Sequence, residues 1–131
     1  MENDRPRVLL FSFGYKYGAP LDVQMLFDLR ALPNPFWVAD LRQGSGPDPA
    51  VAAYVLESAE GAKILALLTP LIHVTTSIWA EAGKGRFAAA LGCTGGYHRS
   101  VAMVAAVADH LRHLDIDVSA WHRDLPREAA A

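Results

Sequence analysis

The stretch Leu91-Gly92-Cys93-Thr94-Gly95-Gly96-Tyr97-His98-Arg99-Ser100 decides how this chain folds. It leaves an apolar run that predicts a strand, passes two adjacent glycines, and enters a helical pattern over residues 98–113 with the apolar stripe Val101, Val104, Ala105, Ala108 and Leu111. The first N–H groups of a helix lack partners within it, and the helix dipole adds partial positive charge there. We therefore predict a strand–loop–helix that binds an anion such as phosphate.

Side chains and glycines within this stretch strengthen the prediction of an anion site. Gly95 and Gly96 allow the backbone to approach a ligand and to adopt positive φ without a Cβ clash. Arg99 presents a planar fork of donors that matches phosphate or carboxylate oxygens, and Thr94 and Ser100 add hydroxyl groups. We name residues 93–100 the anion loop, with candidate ligand-binding residues Cys93, Thr94, Gly95, Gly96, His98, Arg99 and Ser100.

The same loop also admits a catalytic interpretation. Cys93 is followed by five residues and then by Arg99-Ser100, which is the Cys-x5-Arg-Ser/Thr spacing of cysteine-dependent phosphatases, whose thiolate attacks phosphorus. Such an enzyme needs an acid for the leaving group, and Asp28 and Asp124 are candidates because they lie among polar residues. A buried structural cysteine is the simpler alternative. We favour binding without catalysis and assign no catalytic residue.

Three runs of residues predict strands of an α/β sheet, and the first of them is continuously apolar. They are residues 8–13, 86–92 and 117–123. Residues 23–32 could form a short helix that runs into a strand, and the pattern alone does not decide this. Because strands that alternate with helices are typical of α/β architecture, we predict one α/β domain over residues 1–131, with its core at about residues 7–125.

Two further helices are expected between the first and second of these runs. Asp48 followed by Pro49 is typical of an N-cap with proline at the first helical position, which predicts a short helix over residues 49–56. A longer helix is expected over residues 61–82, where apolar residues recur near helical spacing. Pro70 lies inside that pattern and predicts a kink or a break.

Three polar clusters outside the anion loop are further candidates for ligand contacts, each with a solvated charge or a local ion pair as the alternative. They are Lys16 between two tyrosines, the group of Asp28, Arg30 and Asn34, and the pair His122 and Arg123. Parallel sheets bind ligands beyond the carboxyl ends of their strands, so we expect these clusters to approach the anion loop. Trp37, Trp79 and Trp121 are expected to be packing residues rather than ligand platforms.

Composition favours a folded intracellular domain. With 52% hydrophobic and 20% charged residues the chain can form a core, and a net charge of −2 does not favour a surface that binds nucleic acid as a whole. No signal peptide is recognised, and no apolar run reaches the ~18 residues that span a bilayer. We expect a cytoplasmic protein without metal, cofactor or membrane partner. The apolar helices allow a homo-oligomer, and the tail from Pro126 is expected to fray.

Four ordered stretches resemble the C-terminal domain of the RapZ family of RNase adapter proteins. They are Ser12-Phe13-Gly14-Tyr15-Lys16-Tyr17-Gly18, Phe27-Asp28-Leu29-Arg30-Ala31-Leu32-Pro33-Asn34-Pro35, the stretch from Gly92 to Ser100 quoted above, and His122-Arg123-Asp124-Leu125. The resemblance covers roughly residues 8–125. It implies an α/β domain that binds glucosamine-6-phosphate and takes part in small-RNA recognition, with the anion loop and residues of the other three stretches as the ligand site.

The sequence departs from this family in three places. No stretch reads Gly-x4-Gly-Lys-Ser/Thr, the Walker A pattern of the family's nucleotide-binding N-terminal half, so the resemblance is to the C-terminal domain alone. Phe36 stands where the family commonly has histidine after Asn-Pro, which bears on the identity of the sugar. The tail from Pro126 lacks the basic residues of RNA-binding members, and phosphate contacts dominate RNA affinity.

The sequence therefore predicts a domain that binds or senses a sugar phosphate, with glucosamine-6-phosphate as the candidate that the resemblance implies. An RNA-binding adapter module, with RNA or an RNase as partner, is the alternative, because Lys16, Arg30, Arg99 and Arg123 are interleaved with Tyr15, Tyr17 and Tyr97. A phosphatase that uses Cys93 is the further alternative.

Overall fold

Four parallel strands form the sheet at the centre of the domain. A computed structural model describes residues 5–131 of the chain. Strands β1 (Arg7–Gly14), β2 (Met25–Asp28), β3 (Phe87–Cys93) and β4 (Asp117–His122) lie in the order β2-β3-β1-β4. The central strand β3 is buried along its whole length, and β1 is mostly buried, which explains their nearly continuous apolar sequences. The predicted α/β class is confirmed.

The parallel register brings the carboxyl ends of the strands to one edge of the sheet. Gly14 at the end of β1 lies beside Cys93 at the end of β3, and Asp28 at the end of β2 lies beside Gly92. β4 runs parallel to β1 on its other side. Parallel strands need long crossover connections, so the segments that leave this edge start close together although they are far apart in the sequence.

Within residues 5–131, four α-helices accompany the sheet: α1 (Pro49–Leu56), α2 (Ala59–Glu81), α3 (Arg99–Arg112) and α4 (Leu125–Ala130). The first three share one hydrophobic core with the sheet, which includes Val8, Leu10, Val55, Leu68, Ile72, Leu91, Met103, Val104 and Leu111. A smaller cluster contains Phe11, Phe13 and Ala90, with Tyr15 and Val23 packed against it. The main core therefore lies between the sheet and α1, α2 and α3.

The caps of two helices follow from their sequences. Asp48 accepts a hydrogen bond from the backbone N–H of Ala50 at 2.9 Å, with Pro49 in the first turn, as predicted. Ser58 caps α2 by accepting from the N–H of Gly61 at 3.0 Å.

α2 continues through Pro70 without a break. Pro70 therefore does not end the helix, even though it removes one backbone donor.

Three other expectations are resolved or corrected by the fold. The ambiguous residues 23–32 contain strand β2 rather than a helix. The predicted fraying of the tail from Pro126 is wrong, since α4 begins at Leu125 with the proline in its first turn. Ala105, expected in the apolar stripe of α3, is exposed, whereas the rest of that stripe is buried.

α2 combines length with an apolar composition. By these two criteria alone it could cross a membrane, although only 28% of its most apolar 18-residue window is buried inside the domain. A core helix of a globular domain passes the same test, and α2 contributes Leu68 and Ile72 to the main core. The absence of a membrane partner therefore stays a prediction.

Candidate functional site

The anion loop packs directly against the end of β1. Gly96 has a φ of +73°, and a Cβ at this position would lie 2.7 Å from the backbone nitrogen of Gly14. A Cβ on Gly14 would in turn collide with the backbone of Gly95. The backbone N–H of Lys16 donates to the carbonyl of Thr94 at 3.0 Å. Only glycines allow so close an approach of two backbones, which accounts for Gly96 and Gly14.

Backbone donors of the anion loop are left unpaired. Among residues 5–131, none accepts a hydrogen bond from the N–H groups of residues 95–99. The first bond of α3 is donated by Ala102 to the carbonyl of His98 at 3.0 Å, and the side chain of His98, the N-cap residue, makes no capping bond. Orphan donors at a helix start attract an anion or water.

Arg99 is a buried cation without a carboxylate partner in the described part of the chain. It is 5% exposed, and its Nη1 donates to the backbone carbonyls of Arg30 at 2.7 Å and Leu32 at 3.2 Å. Its Nη2 donates to the hydroxyl of Thr94 at 3.3 Å, whereas its buried Nε has no hydrogen-bond partner. Because carbonyls do not neutralise the charge, this environment favours an anion from outside the domain.

Cys93 lies beneath the loop and is held by Ser100. The sulfur is 3.1 Å from the Ser100 hydroxyl oxygen and receives the Ser100 N–H at 3.4 Å. The residue is 2% exposed. Of the two candidate acids for a phosphatase, Asp28 pairs with Arg30, and neither Asp28 nor Asp124 lines the cavity described next. Catalysis by Cys93 stays an alternative to the predicted binding role, and no observation tests it.

A cavity of about 590 Å³ opens beside the anion loop, within the usual size range of small-molecule sites. Three segments line it. The loop contributes Cys93, Thr94, Gly95, Tyr97, His98 and Arg99. The connection after β2 contributes Asn34, Phe36, Trp37, Arg42 and Gln43. The C-terminal end contributes Glu128, Ala129 and Ala131.

The connection after β2 forms an aromatic and basic wall of the cavity, made by Phe36, Trp37 and Arg42. Phe36 is 46% exposed and Trp37 is 74% exposed, so the expectation that Trp37 is a packing residue is wrong. The Arg42 guanidinium carbon lies 5.0 Å from the centre of the Phe36 ring, while its Nε donates to the Phe36 carbonyl at 2.7 Å. Trp79 does pack against the main core, and Trp121 stacks on Phe11 although it remains 42% exposed.

His98 links the anion loop to this wall. Its Nε2 lies 3.1 Å from the carbonyl oxygen of Arg42. Burial lowers the pKa of His98 below its ordinary value of 6.5, outweighing the hydrogen bonds to backbone carbonyls that oppose the shift. The ring is therefore neutral at neutral pH, so His98 serves as a positioned polar group rather than as a charge.

Glu128 brings a carboxylate to the cavity. Its Oε1 accepts from Lys16 Nζ at 2.9 Å and from the Tyr17 hydroxyl at 2.6 Å. The bond from Tyr17 and the pairing with Lys16 hold the pKa of Glu128 below its ordinary value. The other oxygen, Oε2, lies against Gly95, where it would block a Cβ. A negative charge thus sits at the edge of the anion loop, and Lys16 is already neutralised.

Asp28 and Arg30 form an exposed pair beside the site. The carboxylate of Asp28 receives Arg30 Nη2 at 2.7 Å, and this bond is the main reason that the pKa of Asp28 is lowered. The Arg30 guanidinium also stacks on the ring of Tyr15 at 3.8 Å. Neither side chain lines the cavity, and the contribution of Arg30 to the site is the backbone carbonyl that holds Arg99.

The last cluster, at the end of β4, supports the fold around the loop. His122 Nδ1 lies 2.9 Å from the buried hydroxyl of Ser12, and burial lowers the pKa of His122. Arg123 pairs with Asp124, which is fully buried and accepts from the N–H of Gly14 at 2.8 Å. These residues fix the end of β1 against which the glycines pack, and they do not line the cavity.

The structure therefore brings together part of the predicted site and adds residues to it. Asn34, Cys93, Thr94, Gly95, His98 and Arg99 line the cavity, whereas Lys16, Asp28, Arg30, Gly96, Ser100, His122 and Arg123 do not. The additional lining residues are Phe36, Trp37, Arg42, Gln43, Tyr97, Glu128, Ala129 and Ala131. Of these, Phe36 and Tyr97 were singled out in the sequence, Phe36 for the identity of the sugar and Tyr97 as an aromatic residue near basic ones, whereas Arg42, Gln43 and Glu128 were missed.

Fold and site together define a parallel α/β domain with a strand–loop–helix beside a polar cavity at the carboxyl edge of its sheet. The family model described as the RapZ C-terminal domain matches residues 6–126. The chain belongs to this family, as the sequence resemblance indicated. Membership supports a ligand-binding role for the domain.

Curated relatives agree with this assignment. A protein of Salinispora tropica is 45% identical over 95% of this chain, and one of Nitratidesulfovibrio vulgaris is 44% identical over 91%. A third, from Anaeromyxobacter sp. strain K, is 42% identical over 92%. Each bears the name nucleotide-binding protein, and the chain spans about 41% of the length of each.

Proposed function

We propose that this domain binds a small phosphorylated metabolite, a sugar phosphate such as glucosamine-6-phosphate, in the cavity beside the anion loop. The observation that carries the proposal is Arg99, a 5% exposed guanidinium with an unpaired Nε and no carboxylate partner in the described chain. It lines a cavity that also borders the unpaired N–H groups of the helix start. A phosphate would supply the missing negative charge and several acceptors at once.

The rest of the cavity suits a polar ligand of sugar size. Asn34 and Gln43 can donate and accept hydrogen bonds with hydroxyl groups. Neutral His98 donates its one N–H, at Nε2, to the carbonyl of Arg42, which leaves Nδ1 as an acceptor. The Oε2 atom of Glu128 offers a place for a cationic group. An amino sugar phosphate carries a negative phosphate and a positive amino group, and these residues match both charges. The site therefore favours glucosamine-6-phosphate over the phosphate of a sugar without an amino group.

Calorimetry with glucosamine-6-phosphate, glucose-6-phosphate and inorganic phosphate tests the proposal. Replacing Arg99 by Ala should weaken binding of all three by roughly ten- to hundredfold, the effect of losing a charge-assisted contact. Arg112→Ala, at the exposed end of α3, is the matched control and should bind normally. Since Arg99 also holds two backbone carbonyls, Arg99→Lys with an intact melting transition provides a second variant that retains the charge.

Absence of any shift in melting temperature with millimolar phosphorylated ligands would overturn the proposal. So would an affinity of the folded Arg99→Ala protein equal to that of the wild type.

RNA binding is a second candidate, and one observation favours it. Phe36 and Trp37 are exposed aromatics next to Arg42, which forms no ion pair in the described part of the chain. Such a wall can stack on unpaired bases. Against it, the basic residues that suggested RNA are occupied, since Lys16, Arg30 and Arg123 each pair with a carboxylate. Filter binding of single-stranded RNA at two salt concentrations, with Trp37→Ala as the variant, distinguishes the candidates.

A further inference from the structure

Trp37 is a large aromatic side chain that lines the cavity and is open to solvent. It is 74% exposed, and within residues 5–131 its ring contacts one other aromatic ring, that of Phe36, with the ring centres 5.1 Å apart. Arg42 lies over the Phe36 ring, whereas no cation of the described chain lies over Trp37. Much of the apolar surface of the indole is therefore free to contact a ligand in the cavity.

The backbone beneath Trp37 is held in place. Trp37 ends the 3₁₀ turn Pro35–Trp37, whose first residue is buried. The side chain of Asn34 accepts from the N–H of Phe36 at 3.0 Å, and the carbonyl of Asn34 accepts from the N–H of Trp37 at 3.1 Å. The exposure of the ring is therefore a feature of an ordered turn.

The connection that carries Trp37 is also tied to the anion loop on both sides of the ring. Before Trp37, the guanidinium of Arg99 donates to two backbone carbonyls within residues 30–32. After Trp37, the carbonyl of Arg42 lies 3.1 Å from Nε2 of His98. The aromatic ring and the anion loop are thus held together as two fixed walls of one cavity.

We propose that Trp37 is a platform on which the pyranose ring of a hexose phosphate packs, an inference that rests on the proposed phosphate site at the anion loop. A pyranose chair with equatorial hydroxyl groups exposes C–H groups on its two faces, and these carry partial positive charge. The face of an aromatic ring is negative, so the two faces attract each other and exclude water. The site therefore selects cyclic hexose phosphates over open-chain polyol phosphates, which lack a rigid apolar face.

The neighbours of Trp37 suit the rim of a sugar ring. Asn34 and Gln43 line the same cavity, and their amides can donate to and accept from equatorial hydroxyl groups. An apolar wall with a few polar groups beside it is the usual composition of a small-molecule site. The platform thus supplies contact area, while the amides and the anion loop supply the polar contacts.

Calorimetry of the full 131-residue chain with glucose-6-phosphate, glucitol-6-phosphate and inorganic phosphate tests the proposal. The two hexose ligands carry the same phosphate on a six-carbon chain, but only glucose-6-phosphate forms a ring. The wild type should bind glucose-6-phosphate roughly five- to tenfold more tightly than glucitol-6-phosphate, and Trp37→Ala should remove most of this preference. Trp37→Ala should bind inorganic phosphate as the wild type does, because the free ion has no sugar ring to stack.

Tryptophan fluorescence gives a readout that a purely structural role of Trp37 would not change. Trp121→Phe is the matched control, because Trp121 does not line the cavity and a phenyl ring can still stack on Phe11. Saturating glucose-6-phosphate should change the emission of the wild type and of Trp121→Phe. Trp37→Phe should lose most of this response while it keeps a preference for the cyclic ligand.

The outcomes separate this inference from the phosphate site on which it rests. Binding of inorganic phosphate with equal affinities for the two hexose ligands overturns the platform and leaves the phosphate site in place. A folded Trp37→Ala protein that keeps the wild-type preference also overturns the platform. Absence of binding by all three ligands overturns both proposals. Loss of single-stranded RNA binding in Trp37→Ala, with the sugar preference unchanged, would assign the ring to unpaired bases instead.

Discussion

Arg99 is the residue on which the site depends. Burial of a guanidinium costs several kcal/mol even after the surroundings relax, and neutral carbonyls recover only part of this cost. The contacts to Arg30 and Leu32 fix the plane of the group, while Nε remains without an acceptor. A cation held in this way stabilises the domain less than a paired one would. Its position beside a cavity is the reason to expect an external anion.

Glu128 provides a second test at the scale of one residue. Replacing it by Gln removes a negative charge next to the anion loop while keeping the shape of the side chain. We expect affinity for inorganic phosphate and glucose-6-phosphate to rise by roughly three- to thirtyfold, since the repulsion is partly screened by solvent. Glucosamine-6-phosphate should gain less or lose affinity, because its amino group loses a partner. Calorimetry of the three ligands measures the difference.

The control for this experiment is Glu57→Gln, which removes an exposed carboxylate that does not line the cavity. It should leave all three affinities unchanged. Equal changes for glucosamine-6-phosphate and glucose-6-phosphate in Glu128→Gln would show that Glu128 does not contact the amino group.

Two histidines, the buried His98 and the half-buried His122, make stability depend on pH. Burial lowers the pKa of both His98 and His122 below 6.5 in the folded domain, so the unfolded chain binds these protons more readily. The contribution of these two rings to stability is therefore fully present above pH ~6.5 and is lost as the pH falls from there through the lowered values. NMR titration of the two rings, with urea unfolding at several pH values, measures this. A ring that titrates at or above its ordinary value would contradict the assignment.

The residues of the site differ in how visible they are in the sequence. The sequence identifies Arg99, Gly95 and Gly96, because a double glycine just before a helical pattern indicates an anion loop from neighbouring residues alone. It does not identify Trp37 and Glu128, since their positions depend on contacts across the fold. Trp37 resembles any core tryptophan in the sequence, and Glu128 reaches Lys16 across 112 residues of chain.

At the scale of elements, the turn from β3 into α3 depends on Gly96. Gly96→Ala would place a Cβ at positive φ and 2.7 Å from the nitrogen of Gly14. Gly83→Ala is the matched control, because Gly83 has a similar φ of +75° but open space around its Cβ position. We expect Gly83→Ala to lower the free energy of unfolding by about 1 kcal/mol relative to the wild type. Gly96→Ala should lower it by about 1–3 kcal/mol more than the control does. Urea unfolding of the two variants measures the difference, and equal losses would contradict close packing of the loop.

The central strands, α1 and α3 were predictable because each has a local signal: a continuous apolar run, an Asp-Pro cap or an apolar stripe. β2 has four residues and alternates between half-buried and exposed positions, so its pattern does not separate strand from helix. α4 was missed for a different reason. Its six residues have little intrinsic helical stability, and contacts such as those of Glu128 with Lys16 and Tyr17 hold it in place.

For the whole molecule, the parallel arrangement of the strands determines where the site lies, at the edge formed by their carboxyl ends. Alternating strands and helices predicted that polar clusters at strand ends would approach one another, and the register confirms this common edge. The strand order β2-β3-β1-β4 was not predictable, because pairing is decided by packing between distant segments. That order places the anion loop next to the end of β1. There the loop packs against Gly14, whose backbone N–H donates to the carboxylate of Asp124.

The most direct test of the central claim is an NMR titration of the uniformly ¹⁵N-labelled chain with inorganic phosphate and glucosamine-6-phosphate. The unpaired amides of residues 95–99 and the Arg99 Nε–H should show the largest shifts, saturating together. Saturable shifts confined to other parts of the chain, or none at millimolar ligand, would contradict a phosphate site at this loop.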